Sequence, residues 1–161
     1  MGERLTDDDL RSFYELHYRS IVGAVTVVTG SRAAAEDCVH EALARAWERR
    51  EQPDRIDRWV VTVALNLSRN RWRRVRREVP FVPADRDRAE PAADHESVDL
   101  RRALTAIPRR QREAVVLHYL LDMPVAEVAE VLGLSAGGVK HALFRGRRSL
   151  SSVLAVDEEV G

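Results

Sequence analysis

The stretch VAEVLGLSAGGVKHALFRGRR, Val128 to Arg148, decides the fold of the C-terminal half. Val128, Val131 and Leu132 recur at helical spacing, Gly133 makes a turn, and Ser135 caps a second helix anchored by Val139, Leu143 and Leu150. Two short helices around a tight glycine turn make a helix-turn-helix, whose second helix enters the major groove. The inward anchors leave Gly137, Gly138, His141, Arg145 and Arg148 on the outer face, flanked by Lys140 and Arg147. No acid interrupts this set, so its composition suits phosphates and base edges. The plain alternative is a solvated basic helix; the preceding helix, glycine turn and serine cap favour the motif. Gly137 and Gly138 each cost up to about 1 kcal/mol of helix propensity. They leave the usual base-reading positions bare but let the backbone approach a phosphate.

Working outward, the whole chain of 161 residues is enough for one medium domain or two small ones. It is 32% charged and 45% hydrophobic, with net charge zero. The longest apolar run, Ile21 to Val28, is too short to span a membrane, and the acidic start TDDD has no signal-peptide character. A single cysteine, Cys38, excludes an internal disulfide, and the five histidines show no metal-ligand spacing. No cofactor, no metal site and no membrane contact are therefore expected, and a reducing cytoplasm is the expected compartment. Lys140 is the one lysine among 26 basic residues. Guanidinium suits phosphate recognition, and codon bias in a GC-rich genome would give the same composition. Neutrality hides segregation: Arg69 to Arg77 holds six arginines and no acid, while Glu78 to Asp99 holds seven acids against two arginines.

The rest of the chain reads as helices. Thr6 before Asp7, Asp8 and Asp9 is a helix start. Leu10, Tyr14, His17, Ile21, Val25 and Val28 form its inward stripe, and Gly30 ends it. Ser31 opens a second helix to about Arg50, burying Ala35, Val39, Ala42, Ala46 and Trp47. After a polar loop from Glu51 to Asp57, a third helix runs to Arg77 with Trp59, Val60, Val63, Ala64 and Leu67 inside. Its WVVTVAL segment is also strand-like in composition, although no partner strand is evident. Pro80, Pro83 and Pro91 mark a linker. Beyond it, Ser97 caps a helix with Leu100, Leu104 and Ile107 inside; Pro108 opens one with Val115, Val116, Tyr119 and Leu120 inside; Pro124 opens the next. The expected fold is all-α: two small helical domains joined by a flexible acidic linker, the C-terminal one a helix-turn-helix. The expected boundaries are 1–77, linker 78–96, 97–154, and an acidic tail 155–161.

Two further constellations carry chemistry. Trp72 interleaves the arginines of Arg69 to Arg77, a pairing suited to a nucleic-acid backbone with an unstacked base. Positive charge complementing the helix dipole would give the same pattern. Asp37 and Glu41 lie one turn apart on a helix face. Such carboxylates make local ion pairs, as Glu41 would with Arg45, or dock on a protein. Acid–base catalysis would need a nucleophile or pocket that nothing supplies apart from neighbouring His40. No catalytic residue is expected.

Taken in order, AAAEDCVHEALARAW, WVVTVALNLSRNRWRR and IPRRQREAVVLHYLLDMPVAEVAEVLGLSAGGVKHALFRGRRSL resemble the extracytoplasmic-function sigma factors, the smallest two-domain group of bacterial RNA polymerase sigma subunits. The last motif is shared with response-regulator DNA-binding domains; the ordered set is specific. The resemblance implies a non-enzymatic factor that directs core RNA polymerase to promoters. Asp37, His40 and Glu41 would dock on the β′ clamp helices. Asn66, Arg69, Asn70, Arg73 and Arg74, with the loop from Glu51 to Arg58, would meet the minus-ten element. Ser135, Gly137, Gly138, Lys140, His141, Arg145 and Arg148 would meet the minus-thirty-five element. The partners implied are core polymerase, through the β′ clamp helices and the β flap, promoter DNA, and the anti-sigma protein that usually holds such factors inactive. The acidic linker would pass near the RNA path. A stand-alone helix-turn-helix regulator is the rival, weakened by an N-terminal half without strand–helix alternation.

The chain departs from the family pattern at four positions. His40 stands for a usual Gln, Leu65 for a common Arg, Asn70 for a common Asp and Gly138 for a usual Thr. The linker is too polar to fold alone. Limited proteolysis of the free chain should therefore cut first between Glu78 and Glu96 and release two helical fragments. Cuts inside the helices with the linker protected would instead indicate one fused domain.

Overall fold

The computed structural model describes residues 4–49, 53–78 and 95–160, and among these only helices and turns occur. Two compact units divide between Asp87 and Arg88. The first contains α1 (Asp7–Phe13), a π-helical turn (Tyr14–Tyr18), α2 (Arg19–Thr29), α3 (Arg32–Arg49) and α4 (Ile56–Glu78). The second contains α5 (His95–Ala106), α6 (Arg109–Val115), a second π-helical turn (Val116–Leu120), α7 (Val125–Leu132) and α8 (Ala136–Val160).

Local chemistry sets the ends of the first helices. The Asp9 N–H donates to Thr6 Oγ1 at 3.2 Å and the Thr6 N–H donates to Asp9 Oδ2 at 2.8 Å, a reciprocal capping box. Gly30, at φ 80°, closes α2 in the left-handed region that only glycine adopts cheaply. The Ala34 N–H donates to Ser31 Oγ at 3.2 Å and starts α3. WVVTVAL is helical within α4, so burial overrides its β-branched composition. Ile21, Val25, Val28, Val39, Val60 and Ala64 are all buried where α2, α3 and α4 pack together.

Several inward faces differ from expectation, and the π turns explain two of them. A π turn places five residues where an α-helix would turn in fewer, so the apolar stripe changes phase across it. In the first, Phe13 is buried while Tyr14 is exposed and His17 only half covered. In the second, Ala114 and Leu117 are buried while Tyr119 and Leu120 are exposed. On α4 the core takes Val61, Leu65 and Ser68, leaving Trp59, Val63 and Leu67 half-buried. Trp47 and Leu100 are exposed. The expected boundaries shift as well. Ile56 to Arg58 belong to α4 rather than the loop, Ser97 lies inside α5, and α8 continues past residue 154 because no Gly or Pro intervenes. The greater part of the expected linker, 79–94, lies outside the described residues, as do 50–52 of the expected loop.

In the second unit, the guanidinium of Arg112 donates to the carbonyls of Thr105 at 3.1 Å and Ile107 at 3.0 Å, tying the end of α5 to α6. Glu113 is buried and accepts from Arg109 Nε at 2.9 Å. α8 crosses α6 at Gly146, where an added Cβ would lie 2.7 Å from Val115 Cγ2. Around Gly23 of α2 there is open space. Gly146→Ala should therefore destabilise by about 1 kcal/mol, overpacking outweighing helix propensity, whereas Gly23→Ala should stabilise by up to about 1 kcal/mol. Circular-dichroism melts of the two variants check this opposite pair of shifts.

Candidate functional site

The first unit presents two polar surfaces. On α3, Asp37, His40 and Glu41 share one exposed face, as their spacing requires. Glu41 accepts from Arg45 Nε at 3.1 Å, the local pair expected from sequence. Asp37 pairs instead across helices, 3.4 Å from Arg71 on α4. His40 sits in an aromatic cluster that sequence spacing did not reveal. The Tyr18 hydroxyl lies 3.2 Å from His40 Nε2, and the rings stack with centroids 5.5 Å apart. Tyr14 lies against Tyr18 at 4.8 Å. Burial, with Glu36 adding its charge, raises the Tyr18 phenol above its ordinary value, so it remains a hydroxyl. Tyr14 and Tyr18 are one helical turn apart, but His40 comes from a separate stretch of sequence, which is why only the fold brings it to them.

The second surface follows α4. Asn66, Asn70, Arg73 and Arg74 are exposed, and Arg69 is half-covered, with its Nη1 donating to Asn66 Oδ1 at 3.0 Å. Leu65, next to Asn66, is 1% exposed and belongs to the core. Its departure from the family's Arg is therefore a packing matter at this backbone position. An open hollow between α3 and α4 is lined by Arg45, Glu48, Arg49, Trp59 and Val63, with the Arg49 guanidinium 5.9 Å from the Trp59 ring. Trp59, inward by helical spacing, keeps one face open to this hollow. At the start of α4, burial raises the Asp57 carboxyl, but the fork of Arg55 at 3.1–3.2 Å and the Arg58 N–H outweigh it and hold it below its ordinary value.

In the second unit, Gly133 at φ 64° turns the chain and the Gly138 N–H donates to Ser135 Oγ at 3.0 Å. Val139, Ala142, Leu143 and Gly146 face inward. Ser135, Gly137, Lys140, His141, Arg145 and Arg148 are exposed together; Gly138 is half-covered, and a Cβ there would lie 3.2 Å from Ser135 Oγ. Arg147 leaves this set, since its guanidinium donates to the Tyr119 hydroxyl at 2.9 Å. Phe144, passed over in the sequence, is half exposed on the outer face with the Arg148 guanidinium 5.8 Å from its ring. Its only sequence signal is an aromatic at helical spacing from His141. Among the described residues no group of three or more His, Cys, Asp or Glu could hold a metal ion, and no helix is long and apolar enough to cross a membrane.

The comparisons fit this division. The family model for Sigma-70 region 2 matches residues 13–78, and the model for Sigma-70 region 4 matches residues 97–150. Those two regions, in that order, define a sigma subunit of RNA polymerase. The ECF RNA polymerase sigma factor EcfG of Rhodopseudomonas palustris is 30% identical over 138 residues, covering 81% of this chain and 76% of that protein. ECF sigma factor SigE of Mycolicibacterium smegmatis is 31% identical over 155 residues, covering 88% of this chain and 57% of that protein. Among solved structures, CnrH in complex with the cytosolic domain of CnrY matches with TM-score 0.68 and 27% identity, covering 92% of this chain and 90% of that one. RpoE in complex with the anti-sigma factor NepR from Bartonella quintana matches with TM-score 0.80 over 94% of this chain and 99% of that one; at 22% identity it bears on fold alone. The chain belongs to the extracytoplasmic-function sigma factors, which direct RNA polymerase in promoter-specific transcription initiation.

On the outward face of α8 from Gly137 to Arg148, Lys140, Arg145 and Arg148 are charged, and Gly137 and Gly138 carry no side chain. Arg145→Ala and Arg148→Ala should each weaken promoter binding and reduce the slope of log affinity against log salt by about one, with little change in preferred sequence. His141→Ala should relax preference at one upstream position. Promoter-library selection at two salt concentrations measures both, and arginine variants that change sequence preference would reverse these roles.

Proposed function

We infer that the chain divides its work by unit. Residues 1–77 dock on the β′ clamp helices through Asp37, His40 and Glu41 and engage the minus-ten element through Asn66, Arg69, Asn70, Arg73 and Arg74. Residues 97–154 engage the minus-thirty-five element through Ser135, Gly137, Gly138, Lys140, His141, Arg145 and Arg148, and the β flap is their polymerase contact. The observation that carries this is the placement of exposed groups in the first unit: Asp37, His40 and Glu41 lie on α3 and Asn66, Asn70, Arg73 and Arg74 on α4, with Arg71 meeting Asp37 where the two helices adjoin. Docking and DNA contact thus use different helices of one unit. The hollow beside Arg49 and Trp59 suits an unstacked base, because an aromatic face and a guanidinium both stack on bases. Phe144 supplies an apolar group of the kind that meets a thymine methyl in the major groove.

The factor performs no catalysis of its own and acts in the cytoplasm with the polymerase. The solved relatives described as complexes with an anti-sigma factor or with a cytosolic partner domain support an anti-sigma partner here. The decisive variant is Asp37→Arg with Glu41→Arg. It should abolish core binding and promoter-directed transcription in a reconstituted system while leaving helical content unchanged. Undiminished affinity for core polymerase would remove the docking assignment.

A further inference from the structure

We propose that Tyr18, backed by Tyr14, is part of the core-polymerase docking surface and acts by holding His40 in place between Asp37 and Glu41. This rests on the docking reading above and extends it to a helix that reading did not include. Four observations carry it. The Tyr18 hydroxyl and His40 Nε2 are hydrogen-bonded at 3.2 Å, a contact either imidazole tautomer satisfies because a phenol both donates and accepts. The two rings are stacked, 22° from parallel. Tyr14 lies 6.5 Å from the His40 ring and stands 45% exposed, so the cluster opens to solvent rather than closing into the core. Finally, Tyr14 and Tyr18 bound the π-helical turn, which leaves both tyrosines beside α3 while Phe13 takes the core position.

The physical role follows from side-chain entropy. An exposed histidine on a helix samples several rotamers, and immobilising it on docking weakens binding. A ring already stacked and hydrogen-bonded loses less. The surface so formed alternates carboxylates with aromatic faces. Its chemical complement is a helix that presents guanidinium groups, which pair in-plane with Asp37 and Glu41 and stack face-on against the tyrosine and imidazole rings. The stacking, unlike the hydrogen bond, is specific to a chain with a ring at position 40. It gives the replacement of the family's usual Gln by His40 a structural partner.

A double-mutant cycle on the full chain tests this, with core-polymerase affinity as the readout. Tyr18→Phe removes only the hydroxyl and should weaken binding roughly 2- to 10-fold. Tyr18→Ala should weaken it more. In a His40→Ala background, Tyr18→Phe should have no further effect, and His40→Gln, which can still accept from the hydroxyl, should retain most affinity. Melting curves identify any variant whose loss comes from unfolding. An equal effect of Tyr18→Phe in both backgrounds, or none in either, overturns the proposal. The Asp37→Arg, Glu41→Arg variant run alongside separates the two levels. If it binds core normally, the docking reading fails and takes this inference with it. If it fails to bind while the cycle is additive, only the aromatic inference falls.

Discussion

Val115 and Gly146 meet where α6 and α8 cross, and no side chain larger than hydrogen fits at that crossing without displacement. This contact fixes the roll of α8 about its own axis. With Gly146 against α6, Val139, Ala142 and Leu143 fall on the buried side, and Lys140, His141, Arg145 and Arg148 fall on the open side. Gln111 reinforces the same alignment by accepting from Ser149 Oγ at 2.9 Å, one turn further along. The C-terminal unit is thus a clamp on one helix. α6 sets its rotation, Ser135 caps its start, and Gly133 sets the angle of its approach.

The same logic orders the first unit, where α2, α3 and α4 bury stripes that include Ile21, Val25, Val28, Val39, Leu43, Val60, Val61 and Leu65 and leave the charges to the outside. Net neutrality then becomes a statement about geography. Exposed pairs such as Asp37 with Arg71 contribute little to stability, about 0–1 kcal/mol, because water screens them. Weakness is useful at an interface. A carboxylate held loosely by an intramolecular arginine is screened in the free protein and exchanges partners at small cost. Arg71 belongs to the arginine-rich end of α4, so the pair also joins the carboxylate-bearing face of α3 to that end by one side chain on each.

The helices, their order and most of their caps were legible because they depend on local signals: Thr6 with Asp9, Ser31, Gly30, Gly133 and Ser135. The helix-turn-helix face was legible because glycine and apolar spacing fix it within one short segment. What the sequence hid was phase. The two π turns shift the buried stripe, so Tyr14 and Tyr119 looked internal while Phe13 and Leu117 are. On α4 apolar residues are so dense that several neighbouring faces satisfy a helical period, and packing against α3 selects the one with Leu65 and Ser68. The Tyr18–His40 contact spans two helices and has no periodic signature at all.

Gly138 shows how fold and reading of DNA constrain each other. It donates its N–H to the capping hydroxyl of Ser135, and a Cβ there would crowd that same oxygen at 3.2 Å, a distance that requires the cap to give by a few tenths of an ångström. The bare position therefore keeps the helix start undistorted while giving up a side chain where base edges are normally read. Of the outward groups on α8, the inferred reading gives Lys140, Arg145 and Arg148 to phosphates, although arginine also pairs with guanine edges, and gives His141 and Phe144 to bases. Under the function inferred here, a reader with so few base-directed groups gains affinity from the upstream element more than discrimination. Discrimination then falls to the first unit, where Asn66 and Asn70 are exposed on α4 and the Trp59 hollow lies between α3 and α4. Amide side chains read base edges by paired hydrogen bonds, and a stacking hollow selects by shape.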